Sequence, residues 1–399
     1  MSKLLSPFSK EQLLPQEETL ELIRKKGDLF IGLPKETSYQ EKRVCLTPDA
    51  VAALVSQGHR ILIEANAGIA SGYTDKDYSE AGAEITNDTK KVFSCPIILK
   101  VEPPSLSEIE LINPQTLLIS ALQLKTQSKK YFEALASKRV TALAFEFIKD
   151  DDGTFPAVRV LSELAGTASV LIASELLANT NEGNGLLLGN ISGVPPTEVV
   201  IIGAGTVGEF AARSAIGLGA NVKIFDNSLT KLRCIQSNLG RPIYTSTLQP
   251  KTLLKALRRC DIAIGAIRGK NRSPIIVSEE MVEQMKPGSV IMDVSIDMGG
   301  CFESSEVTSH DKPTFKKYDI IHYCVPNIPS RYSRTASKAI SNIFTPYLSK
   351  IAEDGGIENA IRFDRGLKNG LYFYHGILTS KSVSDWFGLP YNDANLLIF

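Results

Sequence analysis

A lysine closes the apolar run IILKVEPP (97–104) and is followed after one residue by a glutamate and two prolines. An apolar strand that stops in this way usually empties into a crevice. There Lys100 is either a working catalytic and substrate-binding group or a charge where a strand ends. The next strand end, ISALQLK (119–125), offers Gln123 and, two residues on, Lys125 as a second candidate base. Arg43, in EKRVCLTP, carries the planar fork that grips a carboxylate with two parallel bonds. Asp297, in VIMDVSIDMGGCFE (290–303), stands just past another apolar run, and Gly299 and Gly300 beside it allow close backbone approach. Ligands in open α/β sheets sit beyond the carboxyl ends of strands, so these side chains are where chemistry is expected.

The strongest pattern is VVIIGAGTVGEFAARSAIGLGANVKIFD (199–226). Gly203, Gly205 and Gly208 form GxGxxG after an apolar strand and at the opening of a helix, with Thr206 and Val207 between them. The first glycine permits the tight turn, the second lets a pyrophosphate approach the backbone, and the third lets helix pack on strand. The helix N-terminus then faces the phosphates. Asp226 ends the following strand, where a carboxylate binds ribose hydroxyls. Asn227 and Ser228 follow it rather than arginine, so the expected cofactor is NAD and not NADP. Asp297 would then balance the positive nicotinamide ring or orient it and a substrate amine.

Short apolar runs alternate with helical patterns from residue 29 onward, which predicts a mostly parallel, doubly wound sheet. Strands are expected at 29–33, 60–65, 96–101, 116–122 and 140–147. A second series is expected at 198–204, 221–226, 262–267, 289–296 and 320–325. Thr47, Pro48 and Gly58 mark a helix start and stop around 47–58. Long helical patterns at 155–179 and 334–354 separate the two series. The expected fold class is therefore α/β, with two doubly wound Rossmann-like domains, the first discontinuous, joined by two long helices. Residues 29–155 with 340–399 would form the substrate domain and 156–339 the NAD-binding domain, with residues 1–28 a helical extension.

The composition fits that picture. The 44 basic and 44 acidic side chains cancel, which gives no reason to expect nucleic acid or an anionic membrane as partner. No uninterrupted apolar stretch approaches the ~18 residues of a membrane span, and the N-terminus lacks the apolar core of a signal peptide. The six cysteines are scattered without a CxxC pair, which predicts reduced thiols, a cytoplasmic protein and no metal site.

GLPKETSYQEKRVCLTPDAV, GHRILIEANAG, VVIIGAGTVG and DVSIDMGGCFE together resemble alanine dehydrogenase and the NAD-binding subunit of nicotinamide nucleotide transhydrogenase. The likeness runs from about residue 29 to 391 and is nearer to alanine dehydrogenase. It implies the two-domain fold, a homo-oligomer (hexamer or dimer), and reversible conversion of L-alanine, water and NAD to pyruvate, ammonium and NADH. Arg43 matches the arginine that holds the substrate carboxylate, and Asp297 the aspartate beside the nicotinamide. Ser162, Asp226, Lys231, Ala266, Ile267 and Asn327 match positions lining the NAD site, and Val294, Ile296 and Val325 at strand ends complete its expected wall.

Two positions depart from the family. Its substrate-binding lysine falls in register with Glu102, and its catalytic histidine with Gln123. Glutamine makes hydrogen bonds but shuttles no proton near neutral pH. The expectation is an amino-acid dehydrogenase with an altered acid/base pair, acting on an amino acid or keto acid, with altered substrate or low activity. A transhydrogenase-like NAD-binding subunit and a non-catalytic NAD sensor stand as alternatives.

Overall fold

The computed structural model describes residues 27–269 and 272–398; all but the last two residues of the expected N-terminal extension lie outside them. The chain first lays down β1 (Phe30–Leu33), β2 (Arg60–Glu64), β3 (Glu84–Thr86), β4 (Ile97–Leu99), β5 (Leu117–Ser120) and β6 (Thr141–Ala144). It then forms β7 (Glu198–Ile202), β8 (Asn221–Phe225), β9 (Tyr244–Ser246), β10 (Ile262–Gly265), β11 (Val290–Asp293), β12 (Thr314–Lys317) and β13 (Ile320–Tyr323). The hairpin strands β14 (Leu371–Tyr374) and β15 (Ile377–Leu378) come last. One sheet has the order β15-β14-β6-β5-β4-β1-β2-β3 and the other β12-β13-β11-β10-β7-β8-β9. The end of the chain thus returns to the first sheet. All pairings are parallel except those of β12, β14 and β15. Two Rossmann-like parallel sheets with helices packed on them are what the alternating runs predict.

Central strands are buried on both faces and read as mostly apolar runs rich in Ile, Val and Leu, as parallel sheets require. Five strands were not expected: the hairpin β14 and β15, and the three strands Glu84–Thr86, Tyr244–Ser246 and Thr314–Lys317. Each of those three is short, polar and only partly buried, and each lies at a sheet edge, where no apolar run is needed. The strand expected to reach 296 stops at Asp293, and a 3-10 turn, Val294–Met298, follows. Asp293 causes the break: its carboxylate accepts the N–H groups of Ser295, Cys301 and Phe302.

Strand register aligns the site. Gly32 lies beside Ile98, and Leu99 beside Ile119, so the loops after β1, β4 and β5 leave one edge together. In the other sheet Ile202 lies beside Phe225 and Gly265, and Gly265 beside Asp293. Gly203, Asp226, Ala266 and Val294 therefore emerge in one row. Both groups of loops lie where the order of strands reverses, at β1 and at β7, which is the ligand position of open α/β sheets.

The long helices observed are Pro156–Leu176 and Ser333–Glu353. Among the described residues the first is the one helix long and apolar enough to cross a membrane by length and composition. Its small residues serve close packing: a Cβ on Gly166 would lie 2.4 Å from the carbonyl oxygen of Val207. Thr47 precedes helix Pro48–Ser56 as expected, but its hydroxyl lies 3.3 Å from that of Ser341 instead of capping the helix.

Candidate active site

The loop after β1 delivers Glu36, Glu41 and Arg43. Glu41 and Arg43, two residues apart, face each other: Arg43 Nε donates to Glu41 Oε1 at 2.8 Å and Nη2 to Oε2 at 2.5 Å. Arg43 Nη2 also lies 3.5 Å from Glu102 Oε1. Gln123 Nε2 donates to Glu102 Oε2 at 2.5 Å. From the other sheet, Asn327 Nδ2 donates to Glu41 Oε2 at 2.9 Å, and its backbone N–H to Asp297 Oδ1 at 3.2 Å. Five expected site residues, Arg43, Glu102, Gln123, Asp297 and Asn327, thus join one chain of contacts through Glu41. Lys125 sits at its rim, its Nζ 3.5 Å from Met298 Sδ.

Lys100 is placed differently. Its side chain is fully buried, with Nζ 3.0 Å from Glu108 Oε1 and 3.5 Å from Glu36 Oε2. Burial opposes its charge, but the Glu36 and Glu108 carboxylates outweigh it and hold the pKa above the usual lysine value. Strand β4 ends at Leu99, so the alternation that would set Lys100 and Glu102 on one face does not extend to them. Lys100 is therefore not a solvated charge, and its ammonium faces a carboxylate pair rather than Arg43. Glu108 divides its carboxylate: one oxygen meets Lys100, and the other accepts the Ser105 N–H at 2.7 Å as half of a capping box.

Burial sets the other protonation states. It pushes the Glu102 carboxyl up to about 7, with the Glu41 carboxylate adding to the effect and Arg43 opposing it. Glu36 rises to about 7, also through burial, against the pull of Lys100. Burial works against the Glu41 charge, yet Arg43 wins and lowers its pKa. Asp297 is exposed, yet the protein packed around it disfavours its charge and raises its carboxyl pKa. The four histidines lie elsewhere: His322 and Ser304 share a 2.9 Å bond, His375 meets Glu358 at 3.0 Å, and His59 is buried near Leu29. His310 Nε2 lies 3.2 Å from the Asn327 carbonyl oxygen, one peptide removed from the site.

The cofactor side consists mostly of backbone. Gly203 has φ +118°, and a Cβ there would lie 2.4 Å from the Ala266 carbonyl oxygen. A Cβ on Gly208 would lie 1.9 Å from the oxygen of Gly203. A Cβ on Gly205 would meet nothing within 4 Å. The loop is thus tight where helix meets strand and open at the middle glycine, which fits a dinucleotide pyrophosphate. Helix Thr206–Gly217 starts there and contains Val207. Asp226 accepts the Ala204 N–H at 2.8 Å and the Ser228 N–H at 2.7 Å, which fixes its carboxylate beside the loop. Lys231 is exposed in the first turn of the next helix, and Ser162 is half-buried on Pro156–Leu176. Ala266 and Ile267 follow β10, Val294 and Ile296 lie in the 3-10 turn, and Val325 follows β13.

Sequence reasoning missed Glu36, Glu41, Glu108, Glu146 and Asp293. Only Glu41 and Glu108 had local signals: Glu41 is two residues from Arg43 in an irregular stretch, and Glu108 is the last residue of SLSE. Glu36, Glu146 and Asp293 act on backbone groups of loops distant in sequence or of irregular shape, for which the sequence holds no pattern.

Two sheets of this topology, a glycine loop at one switch point and a charged cluster at the other define a two-domain Rossmann-like oxidoreductase. Comparison with known proteins makes this specific. The Alanine dehydrogenase/PNT N-terminal domain family matches residues 32–165 and the C-terminal domain family residues 169–381. The alanine dehydrogenase of Mycolicibacterium smegmatis is 39% identical over 368 residues, 92% of this chain and 99% of the relative. That of Methanococcus maripaludis is 38% identical over 92% of this chain and 98% of its own. A solved L-alanine dehydrogenase superposes with a TM-score of 0.84 at 36% identity, covering 90% of this chain and 98% of its own. A transhydrogenase from Sinorhizobium meliloti shares the fold at TM-score 0.76 and 22% identity, over 88% of this chain and 99% of its own. The chain belongs to the alanine dehydrogenase/PNT family.

Proposed function

We propose that this protein is an NAD-dependent amino-acid dehydrogenase of the alanine dehydrogenase type, with Glu102 and Gln123 where the family's lysine and histidine stand. It would convert an L-amino acid, water and NAD to a 2-keto acid, ammonium and NADH. One observation carries the reading: the unbroken contact chain Gln123–Glu102–Arg43–Glu41–Asn327–Asp297, which spans the two sheets at their ligand-binding ends. The glycine loop, Asp226 and the strand ends around Ala266 and Val294 would hold NAD, which when bound supplies the hydride acceptor. Arg43 binds the substrate carboxylate. Two of its nitrogens face Glu41, so the carboxylate meets the remaining edge, Nη1. Glu41 keeps the guanidinium in one orientation, and Asn327 ties that orientation to the nicotinamide side. Asp297, bonded to the Asn327 N–H, orients the amine. Lys100 braces the loop behind them.

The accompanying domain bounds are 29–155 with 340–399 for substrate and 156–339 for NAD. The reading also makes the protein cytoplasmic and homo-oligomeric, a state that light scattering on the purified protein measures.

The deciding experiment mixes purified protein and NAD with a panel of L-amino acids and follows NADH absorbance, then runs 2-keto acids with ammonium and NADH in reverse. NADH formation with at least one amino acid is expected. Intact NAD binding with no turnover in either direction would remove the enzyme reading and leave a sensor.

A further inference from the structure

Two adjacent strand ends in the first sheet use the same device. After β4, Glu36 accepts the consecutive N–H groups of Val101 and Glu102, at 2.6 and 3.4 Å. After β5, Glu146 accepts those of Leu122 and Gln123, at 2.8 and 3.2 Å. Two bonds from one carboxylate to successive peptides fix both the position and the direction of the chain. Gln123 is held at φ +46°, in the left-handed region that a side-chain-bearing residue rarely adopts. Local strain of this kind persists where surrounding structure overrides it, and it clusters at functional sites. The two residues positioned in this way, Glu102 and Gln123, are the two that depart from the family, and they bond to each other.

We propose, resting on the dehydrogenase reading, that Glu102 is the catalytic group that exchanges protons with the substrate nitrogen and with water. Gln123 orients its carboxylate, and Glu36 and Glu146 are positioning residues for the two loops. Glu102 stands next to Arg43, where the substrate would be held, and only 12% of its side chain is exposed. Lys100 is occupied by two carboxylates. The charged groups around Glu102 are Glu36, Glu41 and Arg43 on its own side, with Asp297 on the far side of Arg43. Burial and this surplus of negative charge bring Glu102 to about 7, and a carboxyl that titrates near the working pH is best suited to move protons both ways.

The proton steps balance. The Glu102 carboxylate takes a proton from the substrate ammonium: an N–H bond breaks, an O–H bond forms, the electron pair stays on nitrogen, and the proton is released to solvent. After oxidation the substrate is an iminium. As the C–O bond forms from water, Glu102 takes the water proton. It returns that proton to nitrogen, and as the C–N bond breaks the hydroxyl proton leaves with ammonia as ammonium.

The test compares full-length wild type with E102Q, E102D, E36Q and E146Q. E102Q should lower kcat by about 10²–10⁴-fold, the contribution of a placed acid–base group, and leave NAD affinity unchanged. E102D should recover part of the loss. E36Q and E146Q should lower kcat more than they raise KM and shift the pH at which kcat rises, which a merely structural defect would not do. A kcat for E102Q within threefold of wild type, with the same pH profile, would overturn the proposal. Should no amino acid be oxidised at all, the dehydrogenase reading itself fails. Carbon-13 NMR of glutamate-labelled protein tests Glu102 apart from turnover. The signal missing in E102Q should titrate near neutral pH and shift when pyruvate is added; titration at the ordinary glutamate pKa, or indifference to pyruvate, refutes it.

Discussion

The two halves of the cleft are built on opposite principles. The side proposed to hold the dinucleotide works by leaving atoms out: Gly203, at φ +118°, and Gly208 bring backbone close to backbone, and Gly205 leaves one opening. Asp226, the carboxylate fixed beside the loop, is held by backbone N–H groups. The side proposed to hold the substrate works by adding charge: Arg43, Lys100, Glu36, Glu41, Glu102 and Glu108 crowd together, largely buried. The first arrangement depends on chain geometry and should respond to added bulk. The second depends on charge balance and should respond to removal of a partner or a change of pH.

Arg43→Ala should give the largest effect on substrate binding. It removes the proposed carboxylate ligand and leaves Glu41 buried without its guanidinium partner, so kcat/KM should fall by roughly 10²–10³ or more. NAD affinity measured by calorimetry should hardly change, because the glycine loop lies on the other sheet. Parallel loss of NAD binding would break the separation between the two halves. Lys100→Met comes next. The ammonium is buried between two carboxylates, and removing one partner of such a set costs roughly 3–5 kcal/mol. Urea denaturation measures this; a loss below 1 kcal/mol would show that Glu36 and Glu108 do not need the charge.

Glu102→Gln should act on stability through pH. The Glu102 pKa is raised to about 7 in the folded protein, above the ~4.3 of a free glutamate. A raised carboxyl favours the folded state while protonated. That contribution is complete below the unfolded pKa and is lost as pH rises through about 7. Wild type should therefore lose stability relative to E102Q between pH 5 and pH 8, by roughly 2 kcal/mol at ~1.4 kcal/mol per pKa unit. Glu36 and Glu41 raise the Glu102 pKa through their own charge, so the difference reports Glu102 together with its effect on these two neighbours. Equal pH dependence in the two proteins would show that Glu102 carries its charge throughout.

The same contrast explains what the sequence revealed. GxGxxG, the strand before it and Asp226 lie within 29 consecutive residues, and Gly203 and Gly208 are dictated by the backbone beside them, so the motif can be read locally. The α/β alternation was equally open, since buried parallel strands must be apolar along their length. The charged cluster was half legible. Arg43 and Asp297 were named from residue type and position, but their environment was not. Glu36 acts 65 residues away on Val101, and Asn327 bonds Glu41 across 286 residues. No spacing rule covers such pairs. Lys100 illustrates the cost: one residue beyond the end of β4, its direction depends on the turn that follows, and that turn is set by Glu36.

Gly205→Ala should give the smallest and most selective effect. The residue has φ −85°, open to any L-amino acid, and an added Cβ would meet no protein atom within 4 Å. Replacing glycine where the backbone already suits alanine stabilises by about 0.4–1 kcal/mol, because the unfolded chain loses freedom. The melting temperature should therefore stay level or rise slightly. The methyl group points into the space where a pyrophosphate would approach, so NAD affinity should fall by about tenfold, ~1.4 kcal/mol. Gly208→Ala is the control: its Cβ would lie 1.9 Å from the Gly203 oxygen, so it should destabilise the fold and weaken NAD together. Calorimetric NAD titration with thermal melts of both variants separates the cases. If Gly205→Ala melted early, the middle glycine would serve packing; if it bound NAD as wild type does, the pyrophosphate would lie elsewhere.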